Sequence, residues 1–350
     1  MTSNYPLNCW YVAATSDELT EGDLVGRRIL DRPIVLYRSA SGAAVALQDR
    51  CAHRGYPLSR GRLHGDRLVC GYHGLAYDTS GNCVDIPSQA NVPAGVCVRA
   101  FPVREEPPFV WIWPGQASAS TLRRVPELPW LSDERWATFG ERLEVACNYM
   151  LLHEHYLDLT HAFVVHPDEM PFQPEDWPPV DEVTVSETSV SCSRALPAAP
   201  LANWEAEATG LARDAEYRRK ETGTFVSPAM HVQEWSIDGG DGTTYHNVRV
   251  QAFTPQTPDA THVFLHGAHD YATDRTVVTQ HLKAFVDTLA GRDKALLEAV
   301  QQQGGHEAWS RGVHINADAA ALKARRIVST MLAEEVGRSP VRPGFSSVVR

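Results

Sequence analysis

The amino-acid sequence predicts an α+β protein of two parts. An all-β domain spans residues 1–117, and a second domain, a sheet packed by helices, spans 118–350. Three observations predict this. Up to Trp113 the apolar residues come in short β-prone runs at close spacing, separated by turn residues. Gln116 to Leu128 is rich in Ala, Ser, Pro and Arg and has no apolar periodicity, which marks a link. From about Val145 apolar residues first recur at helical intervals and then alternate again, so helices and strands are interleaved.

In the first domain, Arg28-Ile29-Leu30 and Ile34-Val35-Leu36-Tyr37 are strand runs, with Asp31-Arg32-Pro33 as the turn between them. Ser39-Ala40-Ser41-Gly42 is a second turn, followed by a strand from Ala43 to Leu47. Leu75-Ala76-Tyr77 followed by Asp78 to Asn82 reads as a hairpin, and Phe109 to Trp113 as a buried strand stopped by Pro114-Gly115. Short strands with frequent turns suit a small sheet domain or barrel. In the second domain Leu151, Leu152, Tyr156, Leu157 and Leu159 predict a helix. Val183 to Ser193, Ala229 to Ile237, Thr244 to Thr254 and Thr261 to Gly267 alternate like strands. Thr276 to Gln303 predicts a long helix broken near Gly291, and Asn316 to Val336 a second one burying Ala319, Leu322, Ile327 and Met331. Gly337 is its expected stop, with a loose tail to Arg350.

The chain is 43% hydrophobic and 21% charged, which supports a real core and excludes wholesale disorder. Its formal net charge of -11 offers no footprint for nucleic acid or an anionic membrane. No run of about 18 apolar residues predicts a membrane-spanning helix. Met1 to Leu19 carries Asp17 and Glu18 but no Lys or Arg, so it does not read as a signal peptide. Seven cysteines are too few for a secreted disulfide framework, and the expected compartment is the cytoplasm.

Two constellations carry chemistry. Cys51-Ala52-His53 and Cys70-Gly71-Tyr72-His73 give two thiols and two imidazoles at tight spacing, a metal-ligand set. Zinc would gather all four on one tetrahedral ion. A Rieske [2Fe–2S] cluster would place both cysteines on one iron and both histidines on the other. One Cys and one His on each of two facing loops favours the cluster, and Gly55, Gly71 and Gly74 let backbone N–H groups approach its sulfurs. These residues, with the strand Phe109 to Trp113, resemble the Rieske family. Cys9, Cys83, Cys97, Cys147 and Cys192 lack paired spacing and read as small apolar residues.

The second constellation runs from Asn148 to His166 and holds His153, His155, His161 and His166. His153-Glu154-His155 is not a zinc-protease motif, because histidines two apart lie on opposite helix faces. Asp158 and His161 share a face at i, i+3. His161 and His166 converge only if the helix ends, and Pro167 pushes His166 out of the helical region. Two histidines and one carboxylate make the facial triad of a non-haem Fe(II) oxygenase.

The segment resembles the catalytic domain of Rieske non-haem iron oxygenases. The similarity extends from Asn8-Cys9-Trp10-Tyr11-Val12-Ala13-Ala14 to the closing helix, and is closest to the vanillate and dicamba O-demethylase type. The resemblance implies a helix-grip catalytic domain with an antiparallel sheet. It implies that His161 and His166 bind iron, and that Asp158 couples that iron to the Rieske cluster of a neighbouring subunit in a head-to-tail homotrimer. Leu289 to Ala299 is similar to the stretch carrying the acidic ligand. That assigns Asp293, with Asp287 as its rival. The family also implies a separate reductase or ferredoxin, drawing on NAD(P)H, and O₂ as co-substrate. The expected activity is monooxygenation of a small aromatic compound, giving an alcohol at a methyl carbon or, at a methoxy carbon, loss of formaldehyde. Ring dihydroxylation and N-demethylation are the alternatives within the family. A Rieske electron-transfer protein would need only the first third of the chain.

One residue departs from the pattern. His155 stands where the relatives carry Asn, three residues before Asp158, and is a candidate pocket donor, proton relay or extra ligand. Trp204, Phe225, Gln251, Phe253, His266 and Phe285 are candidate pocket residues.

Overall fold

The structure, a computed structural model, describes residues 4–310 and 312–337, so the expected tail beyond Gly337 lies outside the described residues. The first domain contains β1 (Tyr11–Thr15), β2 (Val25–Ile29), β3 (Arg32–Arg38), β4 (Ala44–Gln48), β5 (Arg62–His64), β6 (Arg67–Val69), β7 (Ala76–Tyr77), β8 (Cys83–Asp85), β9 (Ala100–Phe101), β10 (Val103–Glu106) and β11 (Phe109–Ile112). They form three small sheets, ordered β1-β11-β10, β2-β3-β4-β9 and β5-β6-β7-β8. The first turn falls one residue earlier than expected. Leu30 and Asp31 both take left-handed conformations, with φ of 50° and 63°, as a two-residue hairpin loop requires. Their N–H groups donate to Pro255 O (2.7 Å) and Gln256 O (2.9 Å) of the second domain, which holds the turn in place and frees Arg32 and Pro33 to join β3.

The second domain contains α1 (Pro129–Ser132), β12 (Ala137–Val145), α2 (Tyr149–Leu157), α3 (Ala162–Val165), β13 (Glu182–Val185), β14 (Val190–Ala199), α4 (Asn203–Thr209), β15 (Tyr217–Ser227), β16 (Met230–Asp238), β17 (Thr244–Thr257), β18 (Ala260–His269), α5 (Thr276–Gly304) and α6 (Ala319–Glu335). Its strands form one seven-stranded sheet, ordered β12-β18-β17-β16-β15-β14-β13, with every pairing antiparallel.

Several expectations need correction. Val183 to Ser193 is a hairpin of two strands, closed where Ser186 N–H donates to Ser189 O at 2.9 Å. The helix α5 runs unbroken through Gly291. That glycine sits on the exposed face, and the buried stripe Val278, Leu282, Val286, Leu289, Ala290, Asp293 and Leu297 carries the helix past it. Packing outweighs the loss of about 1 kcal/mol that a helical glycine brings. In α6 the buried face is Ala320, Ala321, Ala324, Ile327, Val328 and Met331. Ala319 is exposed and Leu322 only half-buried.

Strand alternation gives the large sheet two jobs. One face carries Met230, Val232, Val248, Val250, Ala252, Phe264 and Ala268, which pack on Trp10, Val12, Phe109, Trp111 and Trp113 of the first domain. The intervening residues of β17, Asn247, Arg249, Gln251 and Phe253, take the other face, towards α2 and α5. Helix α4 is tied to this sheet by a buried ion pair. Arg219 on β15 grips Glu205 through Nε–Oε1 (2.7 Å) and Nη2–Oε2 (2.6 Å), both side chains being fully buried. Trp235 Nε1–H and Ala202 N–H also donate to Glu205, each at 2.9 Å.

Removing one partner of such a pair strands a buried charge, at a cost of about 3–5 kcal/mol. Arg219→Met is therefore expected to lower the urea midpoint of the second domain well below that of an exposed control such as Arg135→Met. Equal midpoints would show that Glu205 finds other compensation.

Candidate metal centres

Two loops carry the first donor set. The loop between β4 and β5 holds Cys51 and His53, and the loop between β6 and β7 holds Cys70 and His73. They are built alike. In each, the cysteine N–H donates to the carbonyl five residues on, Cys51 to Tyr56 at 2.9 Å and Cys70 to Leu75 at 2.8 Å. In each, the cysteine carbonyl accepts from the glycine four residues on, Gly55 at 2.9 Å and Gly74 at 3.1 Å. Both glycines are left-handed, with φ of +70° and +77°, and a Cβ on Gly74 would come within 2.9 Å of Pro87. A side chain at either position would strain the turn.

The two thiols end up buried, with 3% and 1% of the residue exposed. The two imidazoles are exposed, their ring centroids 4.6 Å apart. Sulfur inward and nitrogen outward suits a cluster with one thiolate-bound and one imidazole-bound iron better than a single tetrahedral ion. Tyr77, which the sequence reading left as a strand residue, is fully buried with its hydroxyl 3.2 Å from Cys51 Sγ and 3.0 Å from Ala52 N–H. A phenol donating to a ligand sulfur raises a cluster's potential.

The second set is gathered where α2 stops. Asn148 starts that helix by accepting from Met150 N–H at 2.9 Å. The helix ends at Asp158, whose φ of -122° and ψ of 99° are extended. Asp158 and His161 therefore do not share a helix face, contrary to the i, i+3 expectation. Asp158 instead caps the next turn, its Oδ1 accepting from Thr160 N–H (2.9 Å) and Oγ1–H (2.7 Å). Its backbone carbonyl lies 2.9 Å from His161 Nδ1, which leaves Nε2 free to face inward. His166, before Pro167, leaves the helical region as expected, with φ of -129° and ψ of 47°.

Asp293 comes to these histidines from α5. It sits mid-helix rather than near a helix start, and only 3% of it is exposed. Its Oδ1 lies 2.7 Å from His166 Nε2, 3.2 Å from His155 Nε2 and 3.9 Å from His161 Nε2. Tyr156 O–H donates to Oδ2 at 3.4 Å. Burial alone would push this carboxyl up, but the imidazoles of His155 and His166 outweigh it and hold the group far below the usual carboxylate range. Burial, and then the neighbouring His155, pull His161 down to about 4, so it is neutral with a lone pair available.

The tightest three-donor set is His155, His161 and Asp293, whose ligand atoms all lie within 4.8 Å. His166 reaches the same oxygen with the shortest contact of the three histidines. His155 stacks on His161, with ring centroids 3.7 Å apart and planes inclined by 26°. The rings of His161 and His166 are inclined by 76°. His155 Nε2 is buried and makes no aligned hydrogen bond. Asp287 is absent from the cluster. It faces the surface and pairs with Lys283 at 2.7 Å.

A cavity of about 100 Å³ opens beside these donors. His161, His166 and Asp293 form one wall, and Phe139, Trp204, Trp235, Leu282, Phe285 and Leu289 supply much of the rest. Its lining is mostly apolar with a few polar groups, as in small-molecule sites. Of the candidate pocket residues, Trp204 and Phe285 line it, stacked at 4.4 Å. The others do not. Phe225 and Phe253 pack on His153 under α2, at 4.6 and 4.8 Å. Gln251 is buried in the same row of the sheet as Phe225. His266 falls on the opposite sheet face and packs on Phe109 at 4.8 Å. Tyr156, Gln233, Asn247 and Arg249 line the cavity and were missed. The signal was present in β17, where polar residues recur at every second position between Val248, Val250 and Ala252.

Residues 145–334 match the vanillate O-demethylase oxygenase C-terminal domain family, and residues 9–102 match the Rieske [2Fe-2S] domain. The chain is 29% identical over 344 residues to a vanillate O-demethylase oxygenase subunit of Pseudomonas sp. (strain HR199 / DSM 7063), covering 95% of this chain and 96% of that one. It is 30% identical over 339 residues to the dicamba O-demethylase oxygenase component of Stenotrophomonas maltophilia, covering 93% and 97%. A crystal structure of dicamba monooxygenase bound to 3,6-dichlorosalicylic acid superposes with a TM-score of 0.87 at 28% identity, covering 97% of this chain and 100% of that one.

Asp293→Ala is expected to strip the metal from the second centre while leaving the visible absorption of the first intact, and Asp287→Ala to change neither. Iron analysis of both variants checks this, and the reverse pattern would move the ligand to Asp287.

Proposed function

The chain belongs to the vanillate O-demethylase oxygenase family, with a Rieske [2Fe–2S] domain ahead of its catalytic domain, and on that premise we propose that it hydroxylates or O-demethylates a small aromatic compound. The observation that carries the proposal is one Asp293 oxygen within 4 Å of three imidazole nitrogens, at the wall of a cavity lined by aromatic side chains.

In this reading residues 1–117 form the Rieske domain and 118–350 the catalytic domain. Cys51, His53, Cys70 and His73 hold the cluster. His161, His166 and Asp293 would hold the mononuclear iron, two imidazole nitrogens and one carboxylate being the donor set of a non-haem Fe(II) site. When bound, the iron supplies O₂ activation with electrons from the cluster. The chain's own side chains do the rest. Asp158 fixes the His161 ring through its carbonyl, and its carboxylate, held by Thr160, is the group assigned to couple the iron to a neighbouring subunit's cluster. His155 is a donor beside the iron. Its stacking on His161 supports a positioned neighbour over a ligand, since parallel rings aim their lone pairs along parallel lines. The wall formed by Trp204, Phe285 and Leu289 excludes water and holds an aromatic ring flat against it.

The reading includes a separate reductase or ferredoxin fed by NAD(P)H, a cytoplasmic location and a homotrimer. Two exposed apolar residues support head-to-tail assembly: Tyr72, 61% exposed beside His73, and Val164, 83% exposed between His161 and His166. Among the described residues, no helix is long and apolar enough to cross a membrane.

The test is reductase-driven turnover with methoxy-substituted aromatics, following O₂ uptake and formaldehyde together. Matched O₂ uptake and formaldehyde are expected with at least one of them. Protein with both centres loaded and reducible but no substrate-dependent O₂ uptake would overturn the proposal. His155→Asn is expected to keep its iron and lose coupling between O₂ uptake and product, whereas His166→Asn is expected to lose the iron. Loss of iron in His155→Asn would make His155 a ligand.

A further inference from the structure

The polar groups that line the catalytic cavity are nearly all committed to other parts of the protein. Tyr156 O–H donates to Asp293. Trp204 Nε1–H donates to Glu169 O at 3.0 Å, and Trp235 Nε1–H to Glu205 at 2.9 Å. Gln233 spends its amide twice, Nε2–H donating to Glu221 at 2.5 Å and Oε1 lying 3.2 Å from His231 Nε2. The Glu169 carboxylate is held by Arg292 at 3.0 Å. Asn247 Oδ1 accepts from Tyr271 O–H at 2.8 Å.

Two groups remain. Asn247 Nδ2 is buried with no partner. Arg249, among the described residues, makes no ion pair and no side-chain hydrogen bond, although it lines a cavity walled by aromatic and aliphatic side chains. Glu221 is near enough to feel its charge, but Oε2 of that carboxylate is taken by Arg194 at 2.8 Å and Oε1 by Gln233. Asn247 and Arg249 are two apart on β17, so they share a face about 7 Å apart. The cross-strand partner of Arg249 on β18 is Gly267, and the space a side chain would take there is filled by the Phe139 ring.

The free polar groups of the cavity are thus all donors, and one carries a full positive charge. A cation facing an apolar cavity without a counter-ion is costly, and a ligand anion removes the cost. We propose that Arg249, assisted by Asn247 Nδ2–H, is the specificity-determining residue of this oxygenase, and that it selects aromatic acids by pairing their carboxylate or sulfonate through its planar fork. The ring of the acid then lies against Trp204 and Phe285, with its far side towards His161 and His166. This deepens the oxygenase reading and rests on it.

The test is equilibrium binding to the protein with both iron centres loaded, by titration calorimetry, with benzoate, benzenesulfonate and the neutral benzamide as probes. Benzoate or benzenesulfonate is expected to bind wild type about tenfold or more tightly than benzamide. Whichever anion shows the preference identifies the acid group. Arg249→Gln is expected to abolish the preference. Arg249→Lys, which keeps the charge but loses the fork, should retain part of it. Equal binding of benzamide and both anions to wild type, or an anion preference that survives in Arg249→Gln, would overturn the proposal. The Rieske absorption and iron content of each variant, measured in parallel, separate a failure of this assignment from a failure of the oxygenase reading. If both centres are present and O₂ uptake follows neutral aromatic ethers only, Arg249 is wrong and the oxygenase stands.

Discussion

A carboxylate placed in the interior of a protein has to be compensated, and in this chain that requirement organises the catalytic domain. Asp293 is buried in the middle of α5 with three imidazoles around one of its oxygens. The imidazoles come from one short segment, and they reach Asp293 only because that segment is not a continuous helix. Its break at Asp158 turns His161 inward, and its second break at Pro167 returns His166 to the same point. A neutral His161 and an ionised Asp293 are the protonation states a divalent ion needs from its ligands. Burial drives the first and the imidazoles drive the second.

The large sheet positions everything else. Its residues alternate between an apolar face that carries the first domain and a face that floors the catalytic cavity. A one-residue slip in β17 would exchange Val248 and Val250 with Asn247 and Arg249, unseating the domain contact and emptying the cavity of its donors. The interdomain contact and the pocket chemistry are therefore set by one register. The exposed His53 and His73 lie on loops whose paired construction keeps the thiols inside and the imidazoles available at the surface, which suits delivery of electrons to a partner.

Much of this was legible in the sequence where chemistry imposes spacing. The two Cys–His loops, the histidine segment and Pro167 announce themselves, because metal donors and a helix-ending proline leave patterns within a few residues. Asp293 was reachable only through family resemblance. It lies 127 residues from His166, and no local pattern distinguishes it from Asp287. The break at Asp158 was hidden because Asp158 to Val165 keeps a helical pattern of apolar residues. The supposed break at Gly291 was misread because tertiary packing of α5 outweighs a local preference. Arg249 escaped because an arginine in a strand usually faces solvent, and only the sheet order shows that this one lies under α5. Phe225 and Phe253 were misplaced for the opposite reason, since large apolar side chains fill a core as readily as they line a pocket.

The central claim is that Asp293 gathers a mononuclear iron centre separate from the cluster. Iron, zinc and acid-labile sulfide measured on one anaerobic preparation reconstituted with Fe(II) test it most directly. About three irons and two sulfides per chain, without zinc, are predicted. Iron equal to sulfide would mean that the Asp293 cluster of imidazoles holds nothing, and would contradict the account.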